Sequence, residues 1–312
     1  MIPYFDDFLL SLHSNNYSNQ TIYNYDRDLQ VFSQFLDECG IVLPSIDKKS
    51  IAQYKAYLMS QDRKTATLAQ DAPQKLAPRS INRMLSSLRS YLKYLIDMDL
   101  PCPVAPDAIK MIKAERKHPR VAELFDLERL ITAPSHFEKD GRIASRNRAM
   151  LEVLFATGMR ISELCNLNRQ QIDGSGRIFI TGKGRKQRFT YLTPRAMKCV
   201  EDYLKTRDDS LPALFIPYRG RNASNRNKRV SANYLQDRIV RYRQKLRINV
   251  PTSAHSLRHG FATYLAEEGA SPAAIQILLG HESLATTTRY VHASDRYAEE
   301  THHKFHPLSK AE

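Results

Sequence analysis

Four short words of the sequence hold residues whose types could act together: ATGMRISELCNL, TGKGRKQR, HSLRHGFATYL and LLGHESLATTTRYVH. They contain Arg160 just after Gly158 at the mouth of a helix, Lys183 in a β-turn, and His255 and Arg258 three apart on one helix face. His281 follows, with Tyr290 nine residues on. These types suit attack of a hydroxyl on a phosphodiester. Charge grows on the phosphoryl oxygens in the transition state, and arginine answers it with a planar, always protonated fork. The leaving 5′ oxygen needs a proton donor, which a lysine at a hairpin tip can supply. A histidine near the nucleophile can take or return the phenol proton. A tyrosine ester conserves the bond energy for rejoining. No tight acidic cluster suggests a Mg²⁺ site, so no metal or other cofactor is expected.

Each residue alone has an ordinary alternative: a surface arginine, a half-buried tyrosine, a chance His-x-x-Arg pair. The signal lies in their combination and order, and in the elements that would carry them. Residues 18–36 place Ile22, Tyr25, Leu29, Phe32 and Phe35 at helical spacing behind Ser18, a candidate N-cap. Helices are also expected over 48–60 and 79–98, the latter with the stripe Ile81, Leu85, Leu88, Leu92 and Leu95. The first hundred residues therefore read as all-helical. Pro101, Pro103 and Pro106 and the basic run KMIKAERKHPR mark a boundary. The expected organisation is a helical domain over 1–110, a linker over 111–118 and a second domain over 119–312. The second half opens with FDLERLITAP, with Asp126 as candidate N-cap, and RNRAMLEVLFATG, stopped by Gly158. Residues 176–194 alternate like two strands around the turn GKGR, and helices return at 194–206, 231–246, 255–268 and 272–279. The fold class is mainly α with a small β-sheet.

Composition narrows the partners. The chain has 312 residues, 47 Lys plus Arg against 33 Asp plus Glu, and a formal charge of +14. That excess points to a polyanion, with nucleic acid the default. Residues 216–247 alone hold ten Lys or Arg and one acid, Asp237. Arg219 and Arg221 lie in its polar loop, and Arg238 and Arg241 recur with Lys245 on one helix face. Arg185, Lys186 and Arg188 extend this strip beside Lys183. Arg79, Arg83, Arg89 and Lys93 could line a second basic face in the first half. Two basic faces on two domains suggest a clamp on duplex DNA, touching mostly phosphates. The four cysteines form no CxxC or CxxH pair, so a zinc site is not expected. No apolar run approaches a membrane span and the first residues lack a secretory pattern, so a cytoplasmic protein is expected.

The words ATGMRISEL, TGKGRKQR, HSLRHGFAT, LLGHESLATTTRYVH and the later HHKFHP resemble the tyrosine recombinases, most closely the Xer-type site-specific recombinases. The likeness extends to SNQTIYNYDRDLQVFSQFL and RSINRMLSSLRSYLKYL in the first half. It implies an N-terminal helical, SAM-like core-DNA-binding domain and a mixed α/β catalytic domain. It implies Arg160 and Arg258 on the scissile phosphate, Lys183 as donor to the leaving 5′ oxygen, His255 and His281 in proton transfer and phosphate binding, and Tyr290 as nucleophile. Glu163 matches an acidic position whose role is to orient. His259 is read as a structural or hydrogen-bonded histidine. The activity implied is cutting and rejoining double-stranded DNA at a specific site through a 3′-phosphotyrosine and a Holliday junction. The assembly implied is a homo- or hetero-tetramer on two duplexes, with a second Xer-type recombinase and a DNA translocase as further candidate partners, and the role implied is resolution of chromosome or plasmid dimers. Segments 61–77 and 219–229 look longer than the family pattern. A mobile-element integrase or invertase of the same chemistry, a type IB topoisomerase and a non-catalytic DNA-binding protein are the competing readings.

Overall fold

The computed structural model describes residues 2–60, 75–113, 122–181, 187–224 and 228–280. The chain divides into two compact units, Met1–Lys117 and His118–Glu312.

The first unit is helical throughout its described elements: α1 Phe5–Ser14, α2 Asn19–Cys39, α3 Lys48–Met59 and α4 Pro78–Asp97. Ser18 caps α2, its hydroxyl accepting from the Thr21 amide, and Gly40 ends it in the left-handed conformation. Asp47 and Ser50 cap α3 reciprocally. Helix α4 buries the expected stripe together with Tyr91. Phe32, Phe35 and Tyr54 pack ring against ring beneath it. Buried Asp28 receives the Ser87 hydroxyl at 2.8 Å and Arg83 Nη1 at 2.6 Å. Burial nonetheless keeps its carboxyl above the usual range, since Ser87 and Arg83 offset only part of the desolvation. The Asn82 side chain bonds both the carbonyl and the amide of Ile112, so the chain beyond the three prolines is still tied to α4 there. Helix α1 was not anticipated from the sequence. Its buried stripe is only Phe8 and Leu12, too short to register as a period.

The second unit holds α5 Leu124–Phe137, α6 Gly141–Thr157, α7 Ile161–Asn166, β1 Arg177–Thr181, β2 Gln187–Tyr191, α8 Pro194–Lys205, α9 Ala232–Lys245, α10 Ala254–Glu267 and α11 Pro272–Leu279. Helix α6 is its axis: Ala149, Met150, Leu151, Val153 and Leu154 are all buried, with α5, α8 and α10 packed around them. Arg146, buried on α6, donates to the Ile216 carbonyl, the Tyr234 hydroxyl and the Asn147 side chain. Asn147 in turn donates to Tyr242, and Tyr242 to Glu138. This network locks α9 to α6. The expected N-cap at Asp126 is corrected: α5 begins three residues earlier, behind Glu123, and Asp126 pairs inside the first turn with Arg129.

The two strands pair antiparallel, with Ile178 opposite Thr190 and Ile180 opposite Arg188. Their inner face is therefore Ile178, Ile180, Arg188 and Thr190, and Phe179, Phe189 and Tyr191 face outward. Among the described residues no helix is long and apolar enough to cross a membrane.

Gly158 ends α6 with φ +59°, and a Cβ there would lie 2.4 Å from a Phe261 ring carbon and 2.8 Å from Leu279 Cδ2. Gly40 has a similar φ of +63° but nothing within 4 Å. Gly40→Ala should therefore cost only the backbone strain, about 1–2 kcal/mol. Gly158→Ala should cost clearly more, because α10 and α11 must also shift. Urea unfolding of both variants measures the difference, and equal losses would show that the contacts around Gly158 yield freely.

Candidate active site

The left-handed turn at Gly158 sets the start of α7. Arg160 is the N-cap residue, and Glu163 reaches back so that its Oε2 accepts the Arg160 amide at 2.7 Å. Its Oε1 accepts Arg160 Nη1 at 2.9 Å. The Arg160 side chain is 38% exposed, and it borders a depression of about 540 Å³ that also takes in Gln171, Ile180 and Thr181 at the end of β1. A larger depression of about 780 Å³ lies among α5, α6 and α8. Its Arg148 and Arg195 already pair with Glu152, and it contains none of the six candidate residues.

Arg258 comes from α10, a helix started by the Ser253–Ser256 capping box. Its side chain is buried. Nη1 donates to the Gly158 carbonyl at 2.7 Å and Nη2 to the Leu279 carbonyl at 2.8 Å. The two bonds fix the guanidinium plane between the end of α6 and the end of α11. Both are carbonyls that a helix leaves without an internal partner. Arg258 is thus anchored two residues before Arg160 and two before His281.

His255 lies one turn earlier on α10, exposed, with its Nε2 2.8 Å from Nε2 of His259 and the rings edge to face. A bond between these two nitrogens requires one ring to carry its hydrogen there and the other to present a lone pair. Desolvation, then the charges of Arg258 and Arg160, hold His255 below its ordinary value. Desolvation, then His255 and Arg258, pull His259 down to about 4. His259 is the hydrogen-bonded histidine that the sequence suggested, with one addition: its partner is His255. The i, i+4 spacing within HSLRHGF carries that information.

Of the six expected residues, the structure brings Arg160, Arg258 and His255 together. Lys183, His281 and Tyr290 lie outside the described residues, as do Arg185 and Lys186. Segment 61–74 and residues 225–227 within the basic loop lie outside them too.

The expectation that Arg188 extends an exposed basic strip is corrected. Its side chain is only 6% exposed, and it forks onto Glu163, Nη1 to Oε1 at 3.0 Å and Nη2 to Oε2 at 2.7 Å. Its Nε donates to the Leu278 carbonyl at 3.0 Å. Glu163 consequently sits below the usual carboxylate range: burial pushes it up, and the bonds from Arg188 and the Arg160 amide outweigh that. Among the other basic candidates, Arg79 and Lys93 are exposed on α4. Arg83 is bound to Asp28, and Arg89 pairs with Asp107 at 2.7 Å. Arg219 is 78% exposed, with Asp140 3.5 Å away. Arg221 falls in a short 3₁₀ turn. On α9, Arg241 pairs with Asp237, and Arg238 meets Glu138 and lies over the Tyr234 ring.

Both histidines are held below the 6.5 of a free imidazole, so protonation favours unfolding. The stability of the neutral pair is complete above the unfolded value and is lost as pH falls toward about 4. The melting temperature should fall on acidification from about pH 7 to about pH 4.5, and fall less in His259→Gln, which cannot take up that proton. Identical pH slopes for the two proteins would show that His259 is not linked to folding.

Comparison with known proteins bears on the whole chain. Residues 121–296 match the phage integrase family, and residues 5–98 match the phage integrase N-terminal SAM-like domain. The tyrosine recombinase XerC of Halalkalibacterium halodurans is 32% identical over 316 residues, covering 96% of each chain. The tyrosine recombinase XerD of Shewanella oneidensis is 32% identical over 312 residues, covering 98% of this chain and 97% of its own. Among solved structures, the XerH site-specific recombinase bound to its palindromic difH substrate superposes with a TM-score of 0.70 at 21% identity, over 90% of this chain and 79% of that one, a likeness of fold. With both halves matched in order, and relatives aligned from end to end, the chain belongs to the phage integrase family and is a tyrosine site-specific recombinase.

Proposed function

We propose that this recombinase cuts DNA with Tyr290 and holds the scissile phosphate with Arg160 and Arg258. The observation that carries the reading is the anchoring of these two arginines at the two ends of one turn, residues 158–160, with His255 close enough to feel both charges. The phenol oxygen attacks phosphorus and the bond from phosphorus to the 5′ oxygen breaks. The phenol proton passes to a histidine, His255 or His281, and Lys183 protonates the departing 5′ oxygen. The product is a 3′-phosphotyrosyl ester with a free 5′ hydroxyl. Attack by the 5′ hydroxyl of the partner duplex reverses these steps and frees Tyr290. One such exchange gives a Holliday junction, and a second resolves it. The neutral state favoured for the His255–His259 pair fits a group that must accept a proton before it can return one.

The DNA would be held through phosphates by exposed residues of both units: Arg79 and Lys93 on α4, Arg219, and Arg241 beside its pairing with Asp237. Full-length relatedness to XerC and XerD proteins supports a tetramer acting on two duplexes in the cytoplasm, and the resolution of chromosome or plasmid dimers. A second Xer-type recombinase and a DNA translocase are the candidate partners for that role.

Tyr290→Phe should bind DNA with near wild-type affinity and yield no covalent adduct on a nicked suicide substrate run under denaturing conditions. A covalent band in the variant would remove Tyr290 from its role. Arg160→Lys and Arg258→Lys should each keep the charge yet lose on the order of 10² to 10³ in cleavage rate, the usual effect of losing one preorganised donor. Rates within about threefold of wild type would place neither arginine on the phosphate.

A further inference from the structure

Glu163 is a single buried carboxylate with four donors. Arg160 supplies its amide and Nη1, and Arg188 supplies both Nη groups. Arg188 also reaches a third element, through Nε to the Leu278 carbonyl, next to the Leu279 carbonyl that Arg258 holds. Two arginines thus occupy adjacent carbonyls at the end of α11, one tied through Glu163 to Arg160 and the other being Arg258 itself. The fit is close: a Cβ on Gly280 would lie 2.9 Å from Arg188 Cδ. Charge adds a second consideration. Glu163 paired with Arg160 alone would make a neutral unit, poorly suited to attract a phosphate. With Arg188 on the other side of the carboxylate, the trio keeps one positive charge. Lysine could supply the charge but not three directed donors in one plane.

We propose that Arg188 is a positioning residue of strand cleavage. It fixes Glu163, and through it the Arg160 guanidinium, against the same helix end that fixes Arg258, and it offsets the carboxylate so that Arg160 retains its pull on the phosphate. This rests on the reading that Arg160 and Arg258 hold the scissile phosphate.

The test is a double-mutant cycle in the full-length protein, reading single-turnover cleavage of a nicked substrate at saturating DNA, DNA affinity across a salt series, and melting temperature. Arg188→Met should lower cleavage on the order of 10²-fold, and Arg188→Lys, which keeps the charge, by less. DNA affinity should stay within about threefold, with an unchanged salt slope. In an Arg160→Lys background, with residual cleavage followed over hours, Arg188→Met should cost less than about threefold more, because Arg188 acts through Arg160. Wild-type cleavage in Arg188→Met would overturn the proposal, and so would equal losses in the two backgrounds. A salt slope reduced by about 0.9 would also overturn it, since that marks a lost phosphate contact. If Arg188→Met does not fold, the same cycle with Arg188→Lys and with Glu163→Gln must show the same non-additivity, or the proposal fails. Arg160→Lys cleaving at the wild-type rate would instead sink the reading of the site itself, which separates the two failures.

Discussion

The catalytic unit is organised around a buried charge that must be satisfied. A carboxylate in a protein interior is costly unless paired and hydrogen-bonded, and Glu163 meets that condition only when α7, β2 and Arg188 are all in place. The requirement works in both directions. The carboxylate holds Arg160 at the start of α7, and the same carboxylate draws Arg188 to the inner face of a sheet that would otherwise bury only Ile178, Ile180 and Thr190 there. Removing Glu163 would leave Arg188 buried without a counter-charge, and removing Arg188 would leave Glu163 with Arg160 alone. The geometry of the exposed arginine is therefore set by an interaction it shares with a buried one.

Around that pair, backbone carbonyls serve as fixed points. The end of α6 and the end of α11 both close on a left-handed glycine, Gly158 and Gly280. Such an ending leaves carbonyls directed outward, and three of them are taken by arginines: Gly158 and Leu279 by Arg258, Leu278 by Arg188. Glycine is required at Gly158 for space as well as for φ, because Phe261 and Leu279 fill the position a side chain would need. The buried α6 holds these ends in place from behind. Its apolar faces and the Arg146–Asn147–Tyr242 network pin it on several sides, so the described part of the candidate site, Arg160, His255 and Arg258, is backed by packed helices.

How much of this could be read in advance depends on the kind of constraint. Long stripes were legible: α2 behind Ser18, α4 with its five expected apolar positions, and α6 stopped by Gly158 all follow from periodicity and capping. Helix α1 escaped because two buried residues make no period, and α5 began at Leu124 although its first turn offers a better capping side chain at Asp126. Within the candidate site, the places of Arg160 at a helix start and Arg258 on a helix were legible from their local words. The inward turn of Arg188 was not. Alternation in QRFTY, taken alone, puts the aromatics inside and the arginine outside. The opposite holds because the register sets Arg188 across from Ile180, and that register is a long-range fact.

The same distinction governs the charge. An excess of lysine and arginine over the chain points toward a polyanion, but it does not say which cations face outward. Arg146, Arg188, Arg207 and Arg258 are all buried and bind carbonyls, carboxylates or both. Arg229 is spent on the Leu167 carbonyl and the Asn168 side chain. The run over 216–247, with a single acid of its own, is partly answered by acids from elsewhere, since Glu138 and Asp140 meet Arg238 and Arg219. Guanidinium is well suited to this internal use, because it stays charged and can satisfy several carbonyls at once. The electrostatic footprint left for a polyanion is therefore narrower than the composition implies. It is also more discriminating: cations already fixed inside give the surface its shape, and only those left with room at their heads are placed to follow a phosphate backbone.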